Sequence, residues 1–185
     1  MKSERGLGLI ELIIYSMLSV IVLGIVGGIL INSLTAERTV RDSAQASNTG
    51  QLVARSVSQG IRNASSIQLV VPTAGEQLLK ARTVDAGATP VWRCQAWYFG
   101  NGEVRVTTSS TTIPTPTALQ LATWTLLADG IQATSGTTPV FTLDGRRVDL
   151  ALEVSTNGGP SVLISTSALS RQPVPIAVES EPTCV

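Results

Sequence analysis

The sequence predicts an α+β fold, in which a long N-terminal helix, membrane-spanning in its first half, packs on a head of antiparallel β-sheet. Residues 7–34 form an apolar run that would make a helix of roughly 42 Å, longer than the ~30 Å hydrocarbon core of a bilayer. After Pro72 the composition changes to Thr, Ser, Gly and Val, with apolar residues at the alternating positions typical of strands. The 185 residues suffice for one domain with a core and an appendage.

The composition argues against an enzyme. The chain has no histidine, the commonest general base and the commonest protein metal ligand. We therefore predict a protein that is not an enzyme, without a metal site or cofactor, and name no catalytic residue. The formal net charge of zero also argues against a general attraction to nucleic acid or to anionic membranes.

The apolar run carries one acid, Glu11, whose presence needs an explanation. A cleavable secretory signal is the alternative to a membrane span, but its apolar region covers only ~7–15 residues. A carboxylate at a bilayer centre costs about 2.5–3.5 kcal/mol and usually has a partner. No Lys or Arg lies at helical spacing from Glu11, so we expect the partner to come from elsewhere. Cleavage after Gly6 would supply a free amine at Leu7. The alternative is a Glu11 that stays solvated at the membrane interface.

The stretch "RGLGLIELIIYSMLSVIVLGI" resembles the N-terminal signature of type IV prepilins and type II secretion pseudopilins. The resemblance implies that residues 1–6 are a leader, cleaved between Gly6 and Leu7 by a prepilin peptidase, and that the Leu7 amine is methylated. It also implies that Glu11, fifth in the mature chain, pairs with the N-terminal amine of an adjacent subunit. The sequence departs from the common pattern at Leu7, where Phe is commoner, and at Gly8, where Thr or Ser is commoner.

The resemblance implies a pilin-like fold and the role of a structural subunit. The large head, the two Trp of "VWRCQAWYF" and a looser resemblance of residues 139–171 to the tail of larger minor pilins and pseudopilins favour a minor pilin or pseudopilin over the major subunit. The implied partners are the prepilin peptidase, other pilin subunits, the inner assembly platform and membrane lipid. The implied location is a single-pass membrane protein with an extracytoplasmic head, and later a cell-surface or periplasmic filament. The alternative is a signal-anchored binding or adhesion domain that does not polymerise. The sequence does not distinguish motility, DNA uptake, adhesion and secretion.

Residues 35–66 continue the helix in amphipathic form. Five small or apolar residues share one helical face, Ala46, Gly50, Val53, Val57 and Ile61. Arg41, Arg55 and Arg62 lie roughly opposite. The arginine face could meet acidic faces of neighbouring subunits, DNA or solvent, and the sequence leaves this choice open.

Residues 67–185 are predicted to form the β-rich head with a C-terminal tail. "VWRCQAWYF" and "EVRVTT", joined by "GNG", indicate one hairpin, and "PVFTL" with "RVDLALEVS" indicates another, followed by the strand "SVLISTSAL". The alternation favours a sheet with one face on the core and the other in water. Val53, Val57 and Ile61 of the helix would cover the core face. Residues 109–120 are expected to form an exposed loop.

The two cysteines, Cys94 and Cys184, are too few for the usual zinc site in a chain without histidine. In an oxidising, extracytoplasmic setting an even pair favours a disulfide. It would attach the Pro-rich tail, residues 171–185, to the sheet. Two free thiols are the alternative.

Overall fold

The structure is a computed structural model and describes residues 7–84, 91–134, 138–156, 158–173 and 184. The chain divides into two compact units at Arg41/Asp42. The elements are α1 (Leu7–Arg62), β1 (Ser66–Val70), β2 (Gln77–Val84), β3 (Trp92–Gly100), β4 (Glu103–Ser109), α2 (Ala118–Leu121), β5 (Thr125–Ala128), β6 (Ile131–Ala133), β7 (Phe141–Asp144), β8 (Arg147–Val154) and β9 (Val162–Leu169). A long apolar helix packed on antiparallel sheets confirms the predicted fold class.

Helix α1 ends at Arg62, a few residues before the predicted boundary at residue 66, where β1 has already begun. The last carbonyl groups of a helix have no intrahelical partner and need other donors. The chain just after β9 provides them. The Arg171 N–H donates to the carbonyl of Arg62, the last residue of the helix, at 3.1 Å, and the Ser170 hydroxyl donates to the carbonyl of Ala64, two residues beyond the helix, at 2.5 Å. The end of α1 is therefore fixed by a segment more than 100 residues away.

The first sheet has the strand order β1-β2-β3-β4-β5, with antiparallel neighbours throughout. Its β3–β4 hairpin confirms the one predicted from sequence. The turn requires positive φ at two successive residues, and Asn101 (53°) and Gly102 (77°) adopt it. Strands β1, β2 and β5 were not predicted individually, because their runs are short or lack clean alternation.

The second sheet is built around β8, which pairs with β6 and β7 along one edge and with β9 along the other. The predicted β7–β8 hairpin and the third antiparallel strand, β9, are both confirmed. Val148, Leu150, Leu152 and Val154 alternate along β8 and are buried. The head thus contains two sheets, whereas the sequence indicated one.

The second half of α1 covers the core faces of both sheets. Val53, Val57 and Ile61 are buried in the main core cluster, as predicted. The helix also approaches the first sheet closely at Gly60, where an added Cβ would lie 2.2 Å from the indole ring of Trp97. Only glycine leaves room for this large side chain, so the close contact depends on the identity of residue 60.

The two sheets are also joined directly by Gln77, a buried residue at the start of β2. Its side-chain N–H donates to the carbonyl of Phe141 at 2.8 Å, and its Oε1 accepts from the Phe141 N–H at 2.9 Å. The amide thus satisfies both backbone groups of a buried residue in β7. A buried backbone group left without a partner costs about 1–3 kcal/mol, so this pair stabilises the junction between the sheets.

The other face of the first sheet carries a second apolar cluster, so β2 is buried on both faces instead of facing water on one. The cluster includes Leu78, Ala96 and Tyr98 from the sheet. Ile113 covers it from residues 109–120, where an exposed loop was predicted, and Cys184 covers it from the C-terminal end. Buried Ile113 anchors a segment that is otherwise largely exposed, as predicted, but residues 118–120 belong to helix α2 and not to a loop.

Tyr98 in this cluster gives the head a pH dependence in the alkaline range. Burial raises the pKa of its phenol from 10.0 to about 12, and a hydrogen bond to the Glu76 carboxylate, together with its charge, acts in the same direction. The folded head therefore holds this proton more tightly than the unfolded chain does. The resulting stabilisation is complete below pH 10 and is lost as the pH rises to about 12.

We expect an ultraviolet titration of the Tyr15→Phe variant, in which Tyr98 is the only remaining tyrosine, to show a midpoint near 12. Adding Glu76→Gln should lower that midpoint toward 10, because it removes the neighbouring charge. A midpoint at 10 in the folded protein, measured with far-ultraviolet circular dichroism as the control for folding, would contradict this assignment.

Candidate functional site

The N-terminal part of α1 exposes apolar side chains on every side. All large apolar residues between Leu9 and Leu34 are exposed, by 48–70% of their surface. The most apolar 18-residue window of this helix has a mean hydropathy of 2.5, and none of it is buried within the chain. By length and composition the helix can cross a membrane. An apolar surface of this size must be covered by lipid or by other helices.

Leu7 is the first residue of α1, while Gly6 and the rest of the predicted leader, residues 1–6, lie outside the described residues. The cleavage prediction for the Gly6–Leu7 bond therefore stays a prediction. Glu11 follows one turn after Leu7, in the exposed apolar segment.

Glu11 has one partner that the sequence reasoning missed. The Tyr15 hydroxyl donates to Glu11 Oε1 at 3.1 Å, and both side chains are exposed. The spacing alone indicates this contact, because residues four apart on a helix are neighbours, whereas the prediction was limited to Lys and Arg as partners. A phenol is a neutral donor. Among the described residues no cation pairs with Glu11, so its negative charge has no counter-charge there.

The exposed segment offers apolar side chains and one carboxylate, and these differ in the surroundings that they tolerate. A helix that is apolar all round can exchange lipid for the apolar surfaces of other helices at little cost, because both environments are nonpolar. The Glu11 carboxylate cannot be exchanged in this way, because a charge in such surroundings needs a partner. The segment therefore combines an all-round apolar surface with one carboxylate, whose charge is costly in nonpolar surroundings.

Cys94 of β3 and Cys184 form a disulfide, with their Cα atoms 5.3 Å apart and both residues buried. This confirms the pairing favoured from the cysteine count and excludes the alternative of two free thiols. The bond attaches the C-terminal end of the chain to the first sheet. Residues 174–183 and 185 of the predicted tail lie outside the described residues.

Removing the disulfide is expected to lower the free energy of unfolding of the head by about 2–4 kcal/mol, because it closes a loop of 90 residues in the unfolded chain. The chain-entropy treatment gives an upper figure of about 4.5 kcal/mol for this loop. The measurement is urea unfolding of the Cys94→Ser/Cys184→Ser variant in detergent, followed by tryptophan fluorescence, since all three tryptophans lie in the head.

The reduced wild-type protein is the matched control, because it keeps both sulfur atoms and loses only the bond. It should unfold at nearly the same urea concentration as the double variant. Equal stability of the oxidised and reduced wild-type proteins would show that the cross-link does not stabilise the head.

The three arginines predicted to share one face of α1 have different surroundings. Arg41 pairs with Glu37 at 2.6 Å, on the exposed surface. Arg55 makes a long hydrogen bond of 3.4 Å to Gln51. Arg62 lies in the last turn, where a cation interacts favourably with the helix dipole. Arg171, which the sequence reasoning did not select, joins Arg55 and Arg62 around one groove.

Within the described residues, no group of three or more His, Cys, Asp or Glu side chains could hold a metal ion. Comparisons of the chain with protein-family models, with curated proteins and with solved structures find no match.

Proposed function

We propose that this chain is a structural subunit of a type IV pilus-like or type II secretion filament, and more finely a minor pilin or pseudopilin. The observation that carries the proposal is an exposed, all-round apolar helix with a single carboxylate, Glu11, fifth from Leu7. The proposal also draws on the resemblance of the first thirty residues to prepilins. The large head, residues 42–185, favours a minor subunit over a major one.

In this proposal a prepilin peptidase cleaves the Gly6–Leu7 bond and the new Leu7 amine is methylated. The precursor is a single-pass membrane protein whose head lies outside the cytoplasm. Assembly then moves α1 from lipid into a bundle with the helices of other subunits, at the inner assembly platform. Apolar contacts with lipid are replaced by apolar contacts with helices, so this step changes little in the helix's nonpolar environment.

Glu11 supplies the specificity that the apolar surface lacks. A methylated amine remains protonated near neutral pH, so the N-terminus of one subunit is a cation that fits the Glu11 carboxylate of the next. In nonpolar surroundings such a pair is favoured over two separate charges, because each unpaired charge carries a solvation penalty. The hydroxyl of Tyr15 remains as a second, neutral donor to the same carboxylate.

The decisive experiment is the intact mass and N-terminal sequence of the protein extracted from the membranes of its native host. The proposal predicts a chain that begins at Leu7 and carries one methyl group on its amine. Gly6→Val should abolish the cleavage, whereas Gly8→Ala, a change of similar kind on the other side of the bond, should not. A wild-type chain that still begins at Met1 would contradict the proposal. It would favour the alternative, a signal-anchored binding domain that does not polymerise.

A further inference from the structure

A groove of about 540 Å³ lies between the last turns of α1 and strand β9, within the head. Three arginines line it, Arg55 and Arg62 from the helix and Arg171 from the chain just after β9. Eight of its nine lining residues have polar or charged side chains, the exception being Ala54. Among the described residues that line it there is no carboxylate, so the groove concentrates positive charge in a chain whose net charge is zero.

These arginines differ from three other arginines of the chain in their partners. Arg41, Arg105 and Arg147 each have a carboxylate within 3.5 Å. By contrast, the side chains of Arg55, Arg62 and Arg171 form no ion pair with any residue that the structure describes. Their charges are therefore available to an external anion.

The spacing is set by the fold. Arg55 and Arg62 are seven residues apart on one helix, which places them on the same side and about 10.5 Å apart along its axis. The backbone N–H of Arg171 is held by the carbonyl of Arg62 at 3.1 Å, so the third arginine is attached to the helix end. The groove thus brings together two arginines of the helix and one from the chain after β9, an arrangement suited to a ligand with repeated negative charges.

The other lining groups indicate which polyanion fits. Amides such as Gln59 and Asn63 and the hydroxyl of Thr166 are the side chains that contact phosphate and sugar oxygens, along with arginine forks. The groove has no aromatic or large apolar side chain to anchor a protein partner or to stack on bases. We propose that the groove binds the phosphodiester backbone of a nucleic acid strand, without reading its sequence.

Binding through three phosphates predicts a defined salt dependence. For single strands the logarithm of the association constant falls with the logarithm of salt concentration by about 0.7 per contacted phosphate, or about 2 for three. Affinity should therefore fall about twentyfold between about 50 and about 200 mM salt. Fluorescence anisotropy of a fluorescein-labelled oligothymidylate of about twenty nucleotides, with the full chain in neutral detergent, measures this slope.

The triple variant Arg55→Gln/Arg62→Gln/Arg171→Gln should lose the binding, whereas the triple change to Lys should retain most of it. Arg147→Gln is the matched control, because it removes an exposed arginine outside the groove and should leave the slope unchanged. Should the triple variant not fold, Arg171→Gln alone is expected to lower the slope by about 0.7.

Three results would overturn the proposal. The first is that the oligothymidylate does not bind, and the second is that a folded groove variant shows an unchanged salt slope. The third is that an oligoglutamate or anionic phospholipid vesicles, at equal total charge, displace the labelled strand as strongly as unlabelled oligothymidylate does. The last result would assign the groove to an acidic protein surface or to a membrane instead. The test does not depend on cleavage or filament assembly, because it uses the unassembled chain.

Discussion

Glu11→Gln is expected to leave cleavage at Gly6–Leu7 intact and to reduce incorporation of the subunit into filaments at least about tenfold. The change removes the negative charge and keeps the side-chain shape. The amine of the adjacent subunit then has no counter-charge in nonpolar surroundings, at a cost of about 2.5–3.5 kcal/mol. A tenfold change in the incorporation equilibrium corresponds to about 1.4 kcal/mol, so about half of the cost of the unpaired amine already gives the expected loss. The measurement is the ratio of filament-bound to membrane-bound subunit by quantitative immunoblotting. Glu11→Ala should show the same loss.

Tyr15→Phe is the control that separates the two interactions of Glu11. It removes the hydroxyl that donates to Glu11 Oε1 and leaves the charge in place. Incorporation of Tyr15→Phe into filaments should therefore fall much less than incorporation of Glu11→Gln. The Glu11→Gln variant is the converse case, because its amide oxygen can still accept from Tyr15 while the charge is gone. Normal filaments from Glu11→Gln, or equal losses from both variants, would contradict pairing between Glu11 and an amine.

Trp97→Ala is expected to lower the free energy of unfolding of the head by about 3–5 kcal/mol, the usual range for a buried Trp or Phe replaced by Ala. Trp97 is the largest fully buried side chain in the described part of the chain. Its ring packs against Gly60, and its indole N–H donates to the Ser56 hydroxyl at 2.9 Å, so both contacts join the first sheet to α1. Urea unfolding in detergent, followed by the fluorescence of the remaining tryptophans, measures the change.

Two further variants divide this loss into packing and hydrogen bonding. Ser56→Ala leaves the indole N–H without its partner and should cost about 1–2 kcal/mol. In the Trp97→Phe background the same change should cost nearly nothing, because the donor is already absent. A loss below about 1.5 kcal/mol for Trp97→Ala would show that α1 is not anchored to the sheet by this residue.

Much of the fold could be predicted because it depends on local patterns. Period-two alternation marks β8 and its partners, and the Asn-Gly turn marks the β3–β4 hairpin. Helical periodicity correctly identified Val53, Val57 and Ile61 as the buried face of α1. Strand β2 was missed because it is buried on both faces and shows no alternation. The division of the strands into two sheets was missed, because packing between distant segments decides which hairpins share a sheet.

The candidate site was predicted less completely than the fold. Glu11 stands out in the sequence because a lone carboxylate interrupts an apolar run. The Tyr15 contact follows from spacing alone, but a phenol is a neutral donor and the prediction was limited to cationic partners. The arginine groove could not be found in advance, because Arg171 is more than 100 residues from Arg62 and joins it only through the end of β9.

The sequence by itself determined the class of the fold, the membrane-competent helix, the position of Glu11 and the preference of two cysteines for each other. Each of these depends on composition or on residues close together in the chain, where helix and strand periods apply. The tertiary structure alone decided the division into two sheets, the Gln77 bridge between them and the grouping of Arg171 with the helix arginines. These features depend on contacts between distant segments, and such contacts are selected by the packing free energy of the whole domain.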